Sequence, residues 1–401
     1  MRLRALTAGW LLVGLVASPV QPSSSASDPR TPTLVLVGGA LARENDAVYE
    51  TILDARLPGR PLCVLPTASG EPDASMASYL EDFRARGGAD AAIGLRVTRD
   101  DAARAADPDV VRTLAACGGF FFTGGDQSRI VDVFRPGGVD TPALEAIRSV
   151  LAAGGVVAGT SAGAAMPSDP MIGAGSSADA LRHGVVCDDP DQEGPPGVWL
   201  RDGLGLLPGL LVDQHFLARG RLGRLLVAAV ASDQVGLGID ENTALVITDP
   251  GTPRARGRVL GPAFVVVLEP PRGEPSSRRG DAIDLWLLAD GDSITLAPEA
   301  APTFTRASTA AKHTAGLELL AASVPDGFRL VPPDALSPDT RSPDTRSLDE
   351  RSLDERPDDE SYTLMPLRPE TAPWLDSSPT LPCLESRSRS LRDHDIRDDD
   401  R

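Results

Sequence analysis

The sequence predicts an α/β protein: a doubly wound, mostly parallel sheet with helices on both faces, a nucleophile elbow, and an antiparallel C-terminal extension. Two observations carry that expectation. Short, continuous apolar runs alternate with helical stretches from about residue 31 to residue 160, the pattern of parallel strands covered on both faces. The last of those runs leads directly into Gly159-Thr160-Ser161-Ala162-Gly163, a Gly-x-Ser-x-Gly turn that exposes a serine between strand and helix.

The first strand is Leu34-Val35-Leu36-Val37, ended by Gly38-Gly39, with an amphipathic helix from Asn45 to Leu53 behind it. Leu62-Cys63-Val64-Leu65-Pro66 is the second strand. It precedes a helix over Ser75 to Arg86, whose Met76, Tyr79, Leu80 and Phe83 share one face. Ala91 to Leu95, Gly119 to Thr123 and Gly155 to Gly159 supply three more strands. In such a sheet, sites form at the carboxyl ends of the strands. Ala244 to Ile247, Ala263 to Leu268 and Ile283 to Leu288 follow without clear helices between them. They read as an antiparallel extension of the same domain, with a polar loop over Arg272 to Gly280.

The two ends of the chain differ from this body. Arg2 and Arg4, the apolar run Ala5 to Ala17, and the small residues Ser24-Ser25-Ala26 have the order of a secretory signal over residues 1–26, placing the protein outside the cell or in the periplasm. The run is too short to span a bilayer. The body, expected over residues 31–330, is followed by a tail over 334–401. Here Ser337 to Arg356 repeats Ser-Pro-Asp-Thr-Arg twice and Ser-Leu-Asp-Glu-Arg twice, and 18 acidic residues outweigh 10 arginines. So little apolar surface cannot offset the entropy of ordering, and the tail is expected to be disordered.

The formal net charge of −18 argues against nucleic acid or an anionic membrane as partner. Cys63, Cys117, Cys187 and Cys383 lack the spacing of a metal site. Two of them could pair in an exported protein, but Cys63 and Cys117 lie in apolar strand-like runs and read as core residues. Without metal spacing among the cysteines, a zinc site is not expected.

A serine hydroxyl needs a base. Of His183, His215, His313 and His394, the second ends the apolar run Leu211-Val212 within Asp213-Gln214-His215-Phe216. A polar triplet there has no packing rationale unless each group finds a partner, so His215 is preferred to His183. A second glycine turn, Thr123-Gly124-Gly125-Asp126-Gln127, follows the Phe120-Phe121-Phe122 strand, and its backbone N–H groups suit an oxyanion hole. Arg219, Arg221 and Arg224 could clamp carboxylates. Asp240-Glu241, just beyond, suits a guanidinium or the base. Each feature also has a plain structural reading, as a packed turn or a solvated helix start.

Taken together, these segments resemble the cyanophycinases, serine peptidases of family S51 that cleave the arginyl-polyaspartate polymer cyanophycin. The resemblance rests on Thr123 to Gln127, Gly159 to Ala164, Asp213 to Phe216 with the three arginines, and Gly236 to Thr243. It runs from about residue 31 to 270. It implies a fold like class I glutamine amidotransferases, often as a homodimer, and release of β-aspartyl-arginine dipeptides through an acyl-enzyme, with no metal or organic cofactor. By position it implies Ser161 as nucleophile, His215 as general base and the Gly125–Asp126 backbone as oxyanion hole. Gln127, Asp213, Gln214, Arg219, Arg221, Arg224 and Glu241 would line the substrate pocket. Family members carry an acid some fifteen to eighteen positions after the nucleophile, following Met-Ile. Here Met171-Ile172 leads into an acid-poor stretch in which Asp179 is the nearest carboxylate to orient His215, with Glu241 as the alternative. Rival readings are a dipeptidase for short aspartyl peptides, an esterase, whose histidine usually lies further from the serine, and an inactive binding protein on the same fold.

Overall fold

The computed structural model describes residues 31–187, 196–270, 283–298, 301–325, 328–331 and 362–366. The proposed signal segment, the loop over 272–280 and the pentapeptide repeat lie outside the described residues.

The first half winds β1 (Thr33–Val37), α1 (Asp46–Asp54), β2 (Leu62–Leu65), α2 (Pro72–Gly87), β3 (Ala92–Gly94), α3 (Pro108–Ala116), β4 (Gly119–Phe122), α4 (Gln127–Phe134), α5 (Pro142–Ala152) and β5 (Val156–Thr160). A single helical turn, α6 (Ala162–Ala165), follows, then β6 (Met171–Ala174), α7 (Ser177–His183), β7 (Val185–Cys187) and β8 (Val198–Arg201). Next come β9 (Leu210–Gln214), α8 (Leu222–Ser232), β10 (Val235–Ile239), β11 (Ala244–Thr248), β12 (Arg256–Leu260), β13 (Val265–Glu269) and β14 (Ile283–Leu288). The remainder is β15 (Ser293–Thr295), β16 (Thr303–Thr305), α9 (Ala310–Ala322), β17 (Phe328–Val331) and β18 (Tyr362–Pro366).

These strands form two large sheets and a small one. The first runs β16-β15-β12-β11-β1-β5-β4-β2-β3; β1, β5, β4, β2 and β3 are parallel, and β11 joins β1 antiparallel. Strand β1 shows why its sequence is apolar throughout: Leu34 and Leu36 enter one core cluster while Val35 and Val37 enter another on the opposite face. The second sheet runs β17-β18-β14-β13-β10-β9, with β9 and β10 parallel and the rest antiparallel. The third is β6-β8-β7.

Three expectations change. Of the three segments expected to extend the first sheet, β11 does so, whereas β13 and β14 belong to the second, on β10. A second sheet supplies a face for Phe264, Val266, Leu268, Leu285 and Leu287, which pack with α8. Cys63 and Cys117 are core residues but also a disulfide, 5.9 Å between Cα atoms, because β2 and β4 are neighbours and Cys117 sits two residues before β4. The tail, expected to be disordered, contributes a strand. Tyr362–Pro366 inserts as β18 between β14 and β17, and Thr363, Leu364 and Met365 are buried. Tyr-Thr-Leu-Met is a short, mostly apolar run in an acidic context.

Candidate active site

The site lies on the seam between the two large sheets, where four strand ends meet. Strand β5 ends at Thr160, and Ser161 turns the chain into α6 with φ 54° and ψ −111°. That backbone is sparsely populated for a residue with a side chain, and the surroundings impose it. Ser161 N–H donates to the Val37 carbonyl of β1 at 2.9 Å. A methyl group on Gly159 would overlap the Gly163 carbonyl, and one on Gly163 would overlap the Phe122 carbonyl of β4. Both glycines of the motif are therefore demanded by contact, the first by the elbow itself and the second by the next strand.

Strand β9 delivers His215, also left-handed at φ 49°. Its N–H donates to the Gly38 carbonyl at the end of β1, at 2.6 Å, which joins the second sheet to the first. Its ring reaches across that junction, with Nε2 2.9 Å from Ser161 Oγ and Nδ1 2.6 Å from Glu241 Oε1. Glu241 stands just beyond β10, the parallel neighbour of β9 in which Ile239 pairs with Gln214. A residue two positions past that pair is placed to meet the histidine one position past it. Gly39, at φ 110°, packs its Cα against the imidazole, where a methyl group would overlap Cε1 and Nε2. Gly39 went unrecognised as a site residue in the sequence, where a glycine pair ending a strand is only a turn signal.

The electrostatics favour a neutral, basic imidazole. Burial lowers the His215 pKa; the hydrogen bond to the Glu241 carboxylate opposes this, while Arg219 and Arg221 push it down further, and the balance is a value below the ordinary 6.5. The serine, the histidine and a carboxylate thus form a proton relay whose base accepts from Ser161 at neutral pH.

The carboxylate at His215 Nδ1 is Glu241 and not Asp179. Asp179 is the third residue of α7: its N–H donates to Ser176 Oγ at 3.1 Å, and the Ser176 hydroxyl donates to Asp179 Oδ2 at 2.7 Å. It serves a helix start, the ordinary use of an acid three residues after a serine N-cap. The oxyanion expectation also changes by one residue. Asp126 N–H donates to the Ala68 carbonyl at 2.9 Å, and its side chain caps α4 through Ser128 N–H. Gly124 lies against Ser161, its would-be Cβ 3.4 Å from the serine Cβ, so the amide that follows it, at Gly125, is next in line. Ala162 N–H, as the first helical residue of α6, has no acceptor within its own helix.

The remaining pocket residues divide between structure and surface. Gln127 is buried and donates both amide protons to the Ile172 and Gly173 carbonyls, at 2.7 and 3.0 Å, tying α4 to β6. Asp213 and Arg224 form a buried bidentate pair at 2.7 and 2.5 Å, and Arg224 also donates to the Gly175 carbonyl. Arg221 donates to the Gln214 carbonyl and side-chain oxygen at 2.6 and 2.7 Å. Burial and neighbouring Arg224 push its pKa down to about 10, which leaves it cationic at neutral pH. Arg219 is exposed, with its charge felt by His215. His183 is exposed at the end of α7. Among the described residues, no group of three His, Cys, Asp or Glu is gathered to hold a metal ion, and no helix is long and apolar enough to cross a membrane.

An α/β sheet that presents a strained serine to a histidine–carboxylate pair defines a serine-type hydrolase. Its sequence relationships specify which kind. The chain belongs to peptidase family S51, whose profile matches residues 34–253, and it is a serine-type peptidase. A cyanophycinase from Synechococcus elongatus is 35% identical over 246 residues, 58% of this chain and 69% of the relative. A cyanophycinase from a Nostoc species is 35% identical over 211 residues, 52% and 63% of the two chains. Among solved structures, a peptidase from an acI-B1 actinobacterium is 20% identical and covers 67% of this chain and 98% of its own, with a TM-score of 0.46. The family match ends before β12, so most of the second sheet lies beyond it.

Proposed function

We propose that this chain is an exported cyanophycinase that hydrolyses β-aspartyl-arginine units from arginyl-polyaspartate through an acyl-enzyme. The observation that carries the reading is the relay Ser161 Oγ to His215 Nε2 at 2.9 Å and His215 Nδ1 to Glu241 at 2.6 Å. Ser161 Oγ attacks the carbonyl carbon while His215 Nε2 takes the hydroxyl proton and Glu241 stabilises the imidazolium. The carbonyl electrons move onto an oxygen held by the amides of Gly125 and Ala162. The tetrahedral intermediate collapses as His215 returns the proton to the leaving amine. Water, deprotonated by His215, then releases the acyl group from Ser161.

The substrate assignment draws on the cyanophycinase relatives and on charge. Each polymer unit presents a carboxylate and a guanidinium, and the exposed Arg219, whose charge is felt at His215, suits the carboxylate. Asp213, Arg224 and Gln127 act behind the pocket as its frame. Export draws on the N-terminal segment and on the buried Cys63–Cys117 disulfide, since such bonds persist in oxidising compartments.

The test is incubation with purified cyanophycin and mass spectrometry of the products. The expected product is the β-aspartyl-arginine dipeptide, absent with Ser161→Ala. A wild-type chain that labels with a fluorophosphonate yet releases no dipeptide refutes the polymer assignment; cleavage of short aspartyl peptides alone identifies a dipeptidase. Recovery of the chain from the medium or periplasm with residues 1–26 removed tests export.

A further inference from the structure

One buried carboxylate beside the relay takes no part in the chemistry described. Asp240, 7% exposed, stands between β10 and Glu241. Its Oδ1 accepts two backbone hydrogen bonds, from Glu241 N–H at 2.9 Å and from Ala218 N–H at 3.1 Å. Its own N–H donates to the Phe264 carbonyl at 3.1 Å, anchoring it to the start of β13. Ala218 belongs to the turn that follows His215, which closes through Arg219 N–H on the His215 carbonyl at 3.1 Å. A single oxygen therefore ties together the two backbone segments that carry the base and its carboxylate.

Both segments need holding. His215 occupies a left-handed backbone conformation, as does Asn242 immediately after Glu241, and such residues persist only where their surroundings over-determine them. Asn242 is fixed from its other side, its Oδ1 accepting from Ala42 N–H and Asn45 Nδ2 at 3.0 and 2.9 Å. The Glu241 side chain, by contrast, is 38% exposed, so water competes for it and its grip on His215 depends on where its backbone stands. Burying a carboxylate is costly unless its acceptors are used, and Asp240 Oδ1 is used on these two segments.

We propose that Asp240 is a positioning residue that sets the His215–Glu241 contact by bridging Ala218 N–H and Glu241 N–H. The inference rests on the serine mechanism above but not on the identity of the substrate, so its test uses a substrate-independent probe. The rate of fluorophosphonate labelling at Ser161 is followed against pH for the wild type, Asp240→Ala and Asp240→Asn. Asp240→Ala is expected to label about 10–100-fold more slowly, on the scale seen when supporting contacts behind a site are removed. Its acid limb moves to lower pH, because the Glu241 contact that raises the His215 pKa against burial, Arg219 and Arg221 is loosened. Asp240→Asn, whose side-chain oxygen accepts the same two bonds, is expected to recover most of the rate and the wild-type midpoint. Wild-type labelling by Asp240→Ala overturns the proposal. So does an Asp240→Asn variant as slow as Asp240→Ala, which would assign the effect to charge. Should Asp240→Ala not fold, a loss of tenfold or more in Asp240→Asn overturns it alone. A wild type that does not label removes the serine mechanism, and this inference with it; Ser161→Ala, silent at every pH, sets the baseline.

Discussion

Replacing Glu241 by glutamine keeps the shape of the side chain and removes its charge, which isolates what the carboxylate does for His215. In the wild type, an acceptor-only group 2.6 Å from Nδ1 keeps the proton on that nitrogen and leaves the Nε2 lone pair facing Ser161 Oγ. The amide of Glu241→Gln can turn its NH₂ towards Nδ1, which favours the opposite tautomer, with a proton on Nε2 and no base for the serine. Turned the other way it accepts the bond but cannot stabilise the imidazolium of the transition state. Where a buried triad acid becomes an amide, turnover falls about 10⁴-fold. Glu241 is 38% exposed on its side chain, so solvent screens part of its charge, and we expect a fall of about 10²–10³, or roughly 3–4 kcal/mol at 1.36 kcal/mol per decade. KM on a substrate releasing β-aspartyl-arginine should stay within about threefold, since the bond to His215 matters to proton transfer. Asp179→Asn is the control: losing a helix-start contact costs stability of about 1 kcal/mol and little turnover. Steady-state kinetics of both variants decide the matter. Near-wild-type turnover in Glu241→Gln, or a loss of that size in Asp179→Asn, would refute the assignment of the relay.

Other outcomes follow from the same geometry. Because the base must be neutral and its pKa lies below 6.5, kcat/KM should rise through an acid limb centred below that value and then stay level across neutral pH; a midpoint above 6.5 would contradict the buried setting of His215. Gly39→Ala places a methyl group in the His215 ring, and displacing the base by about 1 Å should lower turnover on the order of 10²-fold in a protein that still folds, checked by kinetics beside circular dichroism. Leu364→Ala deletes a fully buried side chain of β18 and should cost about 2–5 kcal/mol, seen as a drop in Tm of roughly 5–15 °C; a change under about 2 °C would mean β18 is not part of the folded sheet. Asp292 is fully buried; burial alone would raise its carboxyl, but hydrogen bonds from His313 and the N–H groups of Ala289, Ser308 and Ala307 hold it well below the usual range. Its contribution is therefore present above the ordinary carboxylate value of about 3.9 and fades as pH falls below it, so the Tm deficit of Asp292→Asn should be full at pH 7 and shrink in acid.

What could be read from the chain alone was local. Parallel strands are short and apolar on both faces, so β1, β2, β4 and β5 stand out without any partner. The elbow is legible because its glycines are required by contacts within a few residues and with one adjacent strand. His215 is legible because a polar triplet closing an apolar run needs partners. Sheet membership was not local. The extended segments over β11, β13 and β14 look alike in sequence, and only the packing of α8 against a second face separates β13 and β14 from β11. Strand β18 hides in an acidic stretch because five residues are a weak signal, and its burial comes from β14 and β17, which lie about 30 to 80 residues earlier in the chain. The disulfide needed β2 beside β4, a pairing that apolar runs do not announce. The choice between Asp179 and Glu241 was of the same kind. Sequence distance from the serine pointed to Asp179, whereas the parallel pairing of β9 with β10 sets Glu241 beside His215, since a hydrogen bond depends on where backbones meet in space and not on their separation along the chain.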